Sequence, residues 1–573
     1  MNTTLLTPLP RRQDSYCHCQ NPGRIGPLAA RQGTLSLGCY SCFALTTLTK
    51  LVWFMAPNKS LSEQQYHVIK HNLPAYHVRA LTGADNVDKW KTKELWNAFL
   101  TGVHVVVGTP AVLADALTHG FVPLKGLSLL VYDECHRCKG SDPMNKIMRD
   151  FYHPAKQRNH PVPHVLGVSA SPVMNRNASQ SGLQAIESNL DATTVTPMQY
   201  RHELETHVQP PELIKIEYDE SRIDHVSAIC QALKNELVFY DEQDPYVHEL
   251  QAQHDSKAHS LLEKVRDKGK TNCREQLKLL YNRVTHIYNE LGPQYAEWYI
   301  STCVNRYLES CGNGASLIAD LETKERRHLE VILKRIISHI DVTSASTAET
   351  CVISDKAKVV LDVLSKDTQV CLRTIIFVEQ RAMVLALAQL LRTSELSGRR
   401  KIGTFVGTST FTGRASSLVD LFDPKSQAQD LIDFRNVSKD LMIATNVLEE
   451  GIDIPACNRV ICFDLPKNLI SFVQRRGRAR QMDSQYMLFV ARDDIQSDPA
   501  RWQALEDKMK EAYMDEDRAM NSTISDAYAN DDDDEDASHV KYAIKSTNAL
   551  LTLENVKGHL HHFCVVATRH DSR

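Results

Sequence analysis

The 573-residue chain lacks the features that send a protein into or across a membrane. No apolar run approaches the ~20 residues of a bilayer span, and the best one, Leu51 to Ala56, is flanked by Lys50 and Lys59. The N-terminus has no charged start, apolar core and small-residue cleavage site, so a signal peptide is not read there. A charge excess is missing too. The 66 Lys and Arg against 70 Asp and Glu leave a formal net charge of −4, so any surface for a polyanion must be local. The 15 cysteines show no framework spacing, which fits a reducing compartment. These absences point to a soluble intracellular protein, in cytoplasm or nucleus or both, with no membrane partner. What is present is ordinary for a globular chain, 42% hydrophobic and 24% charged. At roughly 100–200 residues per domain the length suggests three or four domains.

Residues 1–50 are rich in Pro, Gly, Cys and Ser and differ in character from the rest of the chain. From Leu51 short apolar runs alternate with amphipathic stretches. Leu51–Met55, Val103–Val107, Leu127–Tyr132 and His164–Val168 each end at small or polar residues, and Ser62–His71 and Ala111–Thr118 have helical spacing. That alternation predicts a parallel α/β sheet over 51–215, with ligands at the carboxyl ends of its strands. Residues 216–350 are charged, helical in period and poor in Gly and Pro, hence a helical insertion. Thr374–Val378, Lys401–Val406, Leu441–Ala444 and Val460–Phe463 predict a second α/β domain over 351–494. A helical connector and an acidic run, Asp531–Asp536, fill 495–537, and a further domain opens within 538–573.

The chemistry sits at the strand ends. Asp133 and Glu134 come at the end of one strand, as the acidic motif of a nucleic-acid-stimulated ATPase requires. Asp133 is placed to hold Mg²⁺ on the phosphates and Glu134 to orient and deprotonate water, with His136 and Ser169-Ala170-Ser171 linking the neighbouring strand end. An Asp-Glu pair alone is common; with Ser-Ala-Ser downstream it is specific. In the second domain, Thr445 with Glu450-Gly451-Ile452-Asp453 matches a motif that meets an RNA backbone and, through Gly451 and Asp453, the ribose of ATP. Gln474, Arg478 and Arg480 lie in Gln474-Arg475-Arg476-Gly477-Arg478-Ala479-Arg480, where the last two would reach the γ-phosphate. Such an arginine finger is worth on the order of 10³–10⁵-fold in phosphoryl transfer. Pro57, Thr82, Gly83, Thr109, Phe377, Arg381, Gly407 and Thr445 are candidates for phosphate-backbone contact, weak singly and persuasive in order.

Four patterns read more blandly. Lys268-Gly269-Lys270-Thr271 has Lys264 where a phosphate loop needs its first glycine and lies in the helical insertion, so it reads as a solvated turn. Cys17-His18-Cys19 with Cys39 and Cys42 has an atypical Cys-x-Cys half for zinc. Cys135 and Cys138 belong to the acidic motif, and His559, His561 and His562 read as ordinary surface or core histidines.

Trp53–Pro57, Asp133-Glu134-Cys135-His136, Ser169–Pro172, Ala444–Asp453 and Gln474–Arg480 together resemble superfamily 2 helicases of the Dicer and antiviral RNA-sensor branch. Leu183–Ala192 and Asn548–Phe563 narrow the resemblance to fungal Dicer-like proteins of the second type, over about residues 50–565, the latter stretch resembling the opening of a Dicer dimerisation domain. The resemblance implies two RecA-like domains with a helical insertion and the start of a double-stranded-RNA-binding-like domain. It implies double-stranded RNA, ATP and Mg²⁺, and a role in RNA silencing and antiviral defence beside silencing-pathway proteins or a separate nuclease. Ribonuclease III domains do not lie in these 573 residues, so RNA cleavage is not carried over.

One family part is missing from the sequence: residues 1–50 hold no Gly-rich loop ending in Gly-Lys-Thr or Gly-Lys-Ser. Such a loop gives three or four charged hydrogen bonds at about 1.5–3 kcal/mol each, so its loss costs roughly 5–10 kcal/mol of ATP binding. Loss of its strand is also expected to leave backbone groups unpaired beside the Asp133 strand, unless Gly33–Leu37 fills the slot. The chain is then a fragment or mis-started product of an active ATPase, a pseudo-helicase that binds double-stranded RNA as a regulator, or a DNA-repair helicase of the same superfamily. The retained Asp133, Glu134 and arginines favour the first.

Overall fold

A computed structural model describes residues 4–8, 50–85, 87, 90, 92–169, 180–195, 210–220, 228–238, 241–253, 256–268, 270–312, 318, 321–339, 352–366, 372–406, 417–449, 452, 454–494, 499–514, 542–544 and 549–551. Thirteen of its strands form two sheets. The first holds β1 (Thr4–Pro8), β2 (Leu51–Met55), β3 (Val78–Leu81), β4 (Val105–Gly108), β5 (Leu127–Asp133), β6 (His164–Ser169) and β7 (Ala192–Val195), in the order β3-β4-β2-β5-β6-β1-β7. Strands β2 to β6 run parallel. Their sequences are near-continuous apolar runs because both faces are covered. Trp53, Val106, Leu130 and Tyr132 pack on one face, Val52, Phe54, Val107 and Val131 on the other. β3 and β4 approach so closely at Gly108 that a Cβ there would lie 2.3 Å from the Leu81 carbonyl oxygen.

The expected gap beside the Asp133 strand does not exist. β5 is flanked on both sides, by β2 and β6. The segment Thr4–Pro8, which carried no strand signal, lies antiparallel between β6 and β7. Gly33–Leu37 and the Cys17–Cys42 set lie outside the described residues, as do the acidic run and His559, His561 and His562.

The second sheet holds β8 (Glu212–Tyr218), β9 (Thr374–Phe377), β10 (Ile402–Phe405), β11 (Leu441–Ala444), β12 (Arg459–Cys462) and β13 (Gln485–Ala491), parallel throughout in the order β10-β11-β9-β12-β13-β8. β8 straddles the boundary expected at residue 215 yet pairs with β13, so the second domain begins before the helical insertion rather than after it.

The insertion comprises helices Ala228–Val238, Pro245–Ala252, Ser256–Lys268, Asn272–Leu291, Pro293–Gly312 and Thr323–Ile337. Its Leu280, Ile287, Tyr299, Val304 and Leu333 share one buried cluster with Leu387, Ile443, Ile461 and Phe463 of the second domain. Gly292 joins the two longest helices at φ +106°, where a Cβ would meet the Val352 carbonyl oxygen at 2.6 Å.

Polar groups knot the helix ends. Asp244 accepts from the Tyr246 N–H at 3.0 Å and the Thr271 hydroxyl at 2.6 Å, and Thr271 caps the next helix at Arg274 N. Of the Gly-Lys-Thr expected to be a solvated turn, Thr271 is instead the buried N-cap residue of a helix, Lys270 is exposed, and Gly269 lies outside the described residues. Asp241, Asp244 and His328 sit close enough to share a cation, but all four carboxylate oxygens already accept hydrogen bonds, two of them from Gln243 N and His328. Helix Pro499–Met514 comes after the second sheet, and β14 (Tyr542–Ile544) pairs antiparallel with β15 (Ala549–Leu551). Among the described residues no helix is long and apolar enough to cross a membrane.

Candidate nucleotide and nucleic-acid site

β5 delivers Asp133 to the carboxyl edge of the first sheet, and the chain then turns sharply. Glu134 adopts φ 54°, ψ 48°, a left-handed conformation that costs a non-glycine residue about 1–2 kcal/mol. The turn folds Glu134 back against the short helix Cys135–Arg137. The Asp133 carboxylate accepts from Gln65 Nε2 at 3.4 Å and from the Glu134 N–H at 3.2 Å. Gln65 is presented by helix Lys59–Asn72, which begins where Asn58 caps the Leu61 N–H at 2.9 Å. Glu134 is 5% exposed and its Oε2 makes no hydrogen bond, although it lies 3.3 Å from His136 Nδ1. The same ring nitrogen is 2.9 Å from Ser169 Oγ at the end of β6. His136 is fully buried, so Glu134, His136 and Ser169 form one linked group across two strand ends. Cys135 and Cys138 are buried as well, and burial pushes both thiols above the ordinary range, which makes them packing groups rather than thiolate ligands.

The other expected residues line the same edge. Pro57 comes after β2, Thr82 and Gly83 after β3, and Thr109 after β4 as the N-cap residue of helix Pro110–Thr118. Thr82 is held internally, its N–H and hydroxyl both directed at Asp85 Oδ2, at 2.7 and 3.2 Å. Ala170 and Ser171 lie outside the described residues, as do Gly407, Gly451 and Asp453.

In the second domain, helix Leu469–Arg476 carries the arginine segment. Gln474 is buried within it. Arg478 is turned onto its own domain, donating to the carbonyls of Ile452 at 3.0 Å and Glu449 at 2.9 Å, while exposed Arg480 donates to the Gly477 carbonyl at 2.6 Å. Thr445 is buried, and its N–H donates to the Phe405 carbonyl at 3.2 Å. Phe377 is wholly buried beneath the Arg475 guanidinium, 5.1 Å from it, so it does not face a nucleic acid. Arg381 remains partly exposed, over the Phe422 ring and 3.6 Å from Asp420.

Four residues to which the motifs assigned no role organise these groups: Gln65, Glu449, Asp464 and Arg475. Arg475 donates to Glu449 Oε1 at 2.7 Å and to the Asp464 carbonyl at 2.7 Å. The doubled Glu449-Glu450 and the first Arg of the arginine run were visible in the sequence, but nothing in their spacing paired them.

Comparison with known proteins agrees with this geometry. Residues 38–179 match the DEAD/DEAH box helicase family and residues 355–482 the helicase conserved C-terminal domain. Dicer-like protein 2 of Phaeosphaeria nodorum is 38% identical over 528 residues, which are 90% of this chain and 37% of that protein. Dicer-like protein 2-1 of Aspergillus niger is 39% identical, over 91% of this chain and 37% of its own length. Dicer-like protein 2 of Neosartorya fischeri is 40% identical over 90% of this chain and 37% of its own length. The helicase domain of Pyrococcus furiosus Hef aligns over 82% of this chain and 92% of its own, at 19% identity and a TM-score of 0.42. The chain spans little more than a third of the length of the curated relatives it matches. With two parallel-sheet domains carrying the acidic and arginine motifs, it belongs to the superfamily 2 helicases and carries a helicase module similar to that of fungal Dicer-like protein 2.

Proposed function

We propose that this chain is an RNA helicase module that binds double-stranded RNA and couples ATP hydrolysis to handling of that RNA, in silencing and antiviral defence. The observation that carries the reading is the Glu134–His136–Ser169 group, a buried carboxylate linked through an imidazole to the neighbouring strand end. Such a link ties the state of a nucleotide to the edge along which Pro57, Thr82, Gly83 and Thr109 would meet phosphates. Arg381, Gly407 and Thr445 would extend that track in the second domain, and Gly451 and Asp453 would meet the ribose.

The donor set suits Mg²⁺, a hard cation that takes oxygen ligands. Asp133 would hold it, and when bound it would neutralise charge on the phosphates. Glu134 keeps one buried oxygen without a hydrogen bond, ready to take a proton from water. Gln474, Arg478 and Arg480 would complete the site, which requires Arg478 to leave the Ile452 and Glu449 carbonyls. No Gly-x-x-x-x-Gly-Lys-Thr stands in the sequence, so ATP is expected to bind weakly. The units proposed are Thr4–Pro8 with residues 51–211, and residues 212–494, the latter containing the insertion, followed after 537 by a stretch that resembles the opening of a dimerisation domain. Partners of the module would be silencing-pathway proteins or a separate nuclease, in cytoplasm or nucleus.

The test uses purified residues 1–573, a blunt RNA duplex and a branched DNA of equal charge. Preference for the RNA duplex, with phosphate release from ATP rising when it is added, supports the reading. Tight RNA binding indifferent to ATP leaves a regulator without turnover, and preference for branched DNA overturns the RNA assignment.

A further inference from the structure

Lys356 opens helix Asp355–Ser365 and is 5% exposed, a rare position for a lysine unless it is paired. Its ammonium lies 2.5 Å from Glu290, on insertion helix Asn272–Leu291, and 3.4 Å from Asp464, after β12. It also sits over the Phe463 ring at 4.1 Å and the Tyr218 ring at 5.0 Å. Burial opposes the charge, yet the Asp464 and Glu290 carboxylates hold the pKa above the ordinary lysine value and so favour the charged form.

Asp464 is the junction. Its Oδ2 accepts from the Glu379 N–H at 2.6 Å, and its main-chain carbonyl accepts from Arg475 at 2.7 Å. Arg475 in turn holds Glu449 Oε1 at 2.7 Å, and Ser471 donates to Glu449 Oε2 at 2.9 Å. The Glu449 carbonyl receives Arg478 at 2.9 Å. An unbroken series of short polar contacts therefore runs from the insertion, through Glu290, Lys356, Asp464, Arg475 and Glu449, to Arg478.

We infer that Lys356 is a positioning residue: it fastens the helical insertion to Asp464 and through it sets the placement of the Arg475–Arg480 segment. Its relevance to turnover rests on the ATP reading above. The placement itself does not, because every contact belongs to the protein alone. A cation is required because two half-buried carboxylates meet at the seam, and an uncharged side chain would leave them facing each other without a counter-charge.

The experiment compares hydrogen exchange of the full chain, without RNA or ATP, for wild type, Lys356→Met and Lys356→Arg. Exchange of amides in residues 469–480 is expected to rise ~10-fold or more in Lys356→Met, while β5 of the first sheet and β9 of the second keep their protection. Lys356→Arg, which keeps the charge, is expected to recover most of the protection. Unchanged exchange at 469–480, or an equal rise in β5 and β9, overturns the inference. Should Lys356→Met fail to fold, Asp464→Asn decides by the same criterion, since it removes the charge and leaves the main-chain carbonyl in place. With RNA and ATP added, kcat is expected to fall about tenfold with KM for ATP within about twofold. A wild type without turnover sinks the ATP reading and leaves the exchange result to decide the placement.

Discussion

At residue 134 the chain accepts a left-handed backbone to bring a carboxylate against an imidazole. Glu134→Gln keeps the shape and removes the base. Phosphate release stimulated by RNA is expected to fall about 10²–10⁴-fold, with affinity for an RNA duplex unchanged in a binding titration. Ser169→Ala deletes the partner of a fully buried His136 and is expected to lower stability by about 1–3 kcal/mol in urea unfolding. A second imidazole gives a pH test. Hydrogen bonding to Asp241 raises the pKa of His328 against burial, and His328 lowers that of Asp241. The histidine's share of stability is complete below its unfolded value of about 6.5 and fades as pH rises through the raised value. The aspartate's share is complete above about 3.9 and fades as pH falls through the lowered value. The melting temperature is therefore expected to be highest between those limits, and His328→Gln should flatten the decline on the alkaline side. Asp133, Glu134 and His136 were legible because an Asp-Glu pair closing an apolar run, with Ser-Ala-Ser downstream, is a specific pattern. Gln65 and Asp464 were not, since a lone Gln on a helix and an Asp after a strand have many uses, and only the folded distances select one.

At the scale of elements, the Gly-Lys-Thr at 269–271 shows how context decides meaning. The tripeptide has the letters of a phosphate cradle, but Thr271 spends its hydroxyl on Asp244 and its oxygen on the Arg274 N–H. Thr271→Ala is expected to cost about 1–2 kcal/mol, more than a surface change, and to shift the urea midpoint without altering RNA affinity. Gly292→Ala meets two obstacles, the positive φ and a carbonyl at 2.6 Å, and is expected to be less tolerated than alanine at solvent-facing Gly312. Strands with apolar runs on two buried faces announced themselves. β8 did not: Glu212-Leu213-Ile214-Lys215-Ile216-Glu217-Tyr218 alternates, as an edge strand should, and alternation does not say which sheet it joins. β1 was also silent, because five residues beside a Pro carry too little pattern.

At the scale of the molecule, the long helices of the insertion share one buried cluster with one face of the second sheet, so the two are expected to fold together. Residues 210–514 expressed alone are expected to melt in one cooperative transition, whereas residues 221–340 alone should lack one, a difference that circular dichroism with heating would read. The strand pairing that closes this unit also has a clock in it. β8 leaves the ribosome long before its partner β13, and Gln485 bonds Glu212 across 273 residues of chain. At roughly 5–20 residues per second, the interval is on the order of a quarter of a minute to one minute. Throughout it β8 waits with an open edge while the whole insertion is made. The charges at Glu212, Lys215 and Glu217 are then expected to matter before the fold is finished, by disfavouring pairing of the nascent strand with a neighbouring chain on the same messenger.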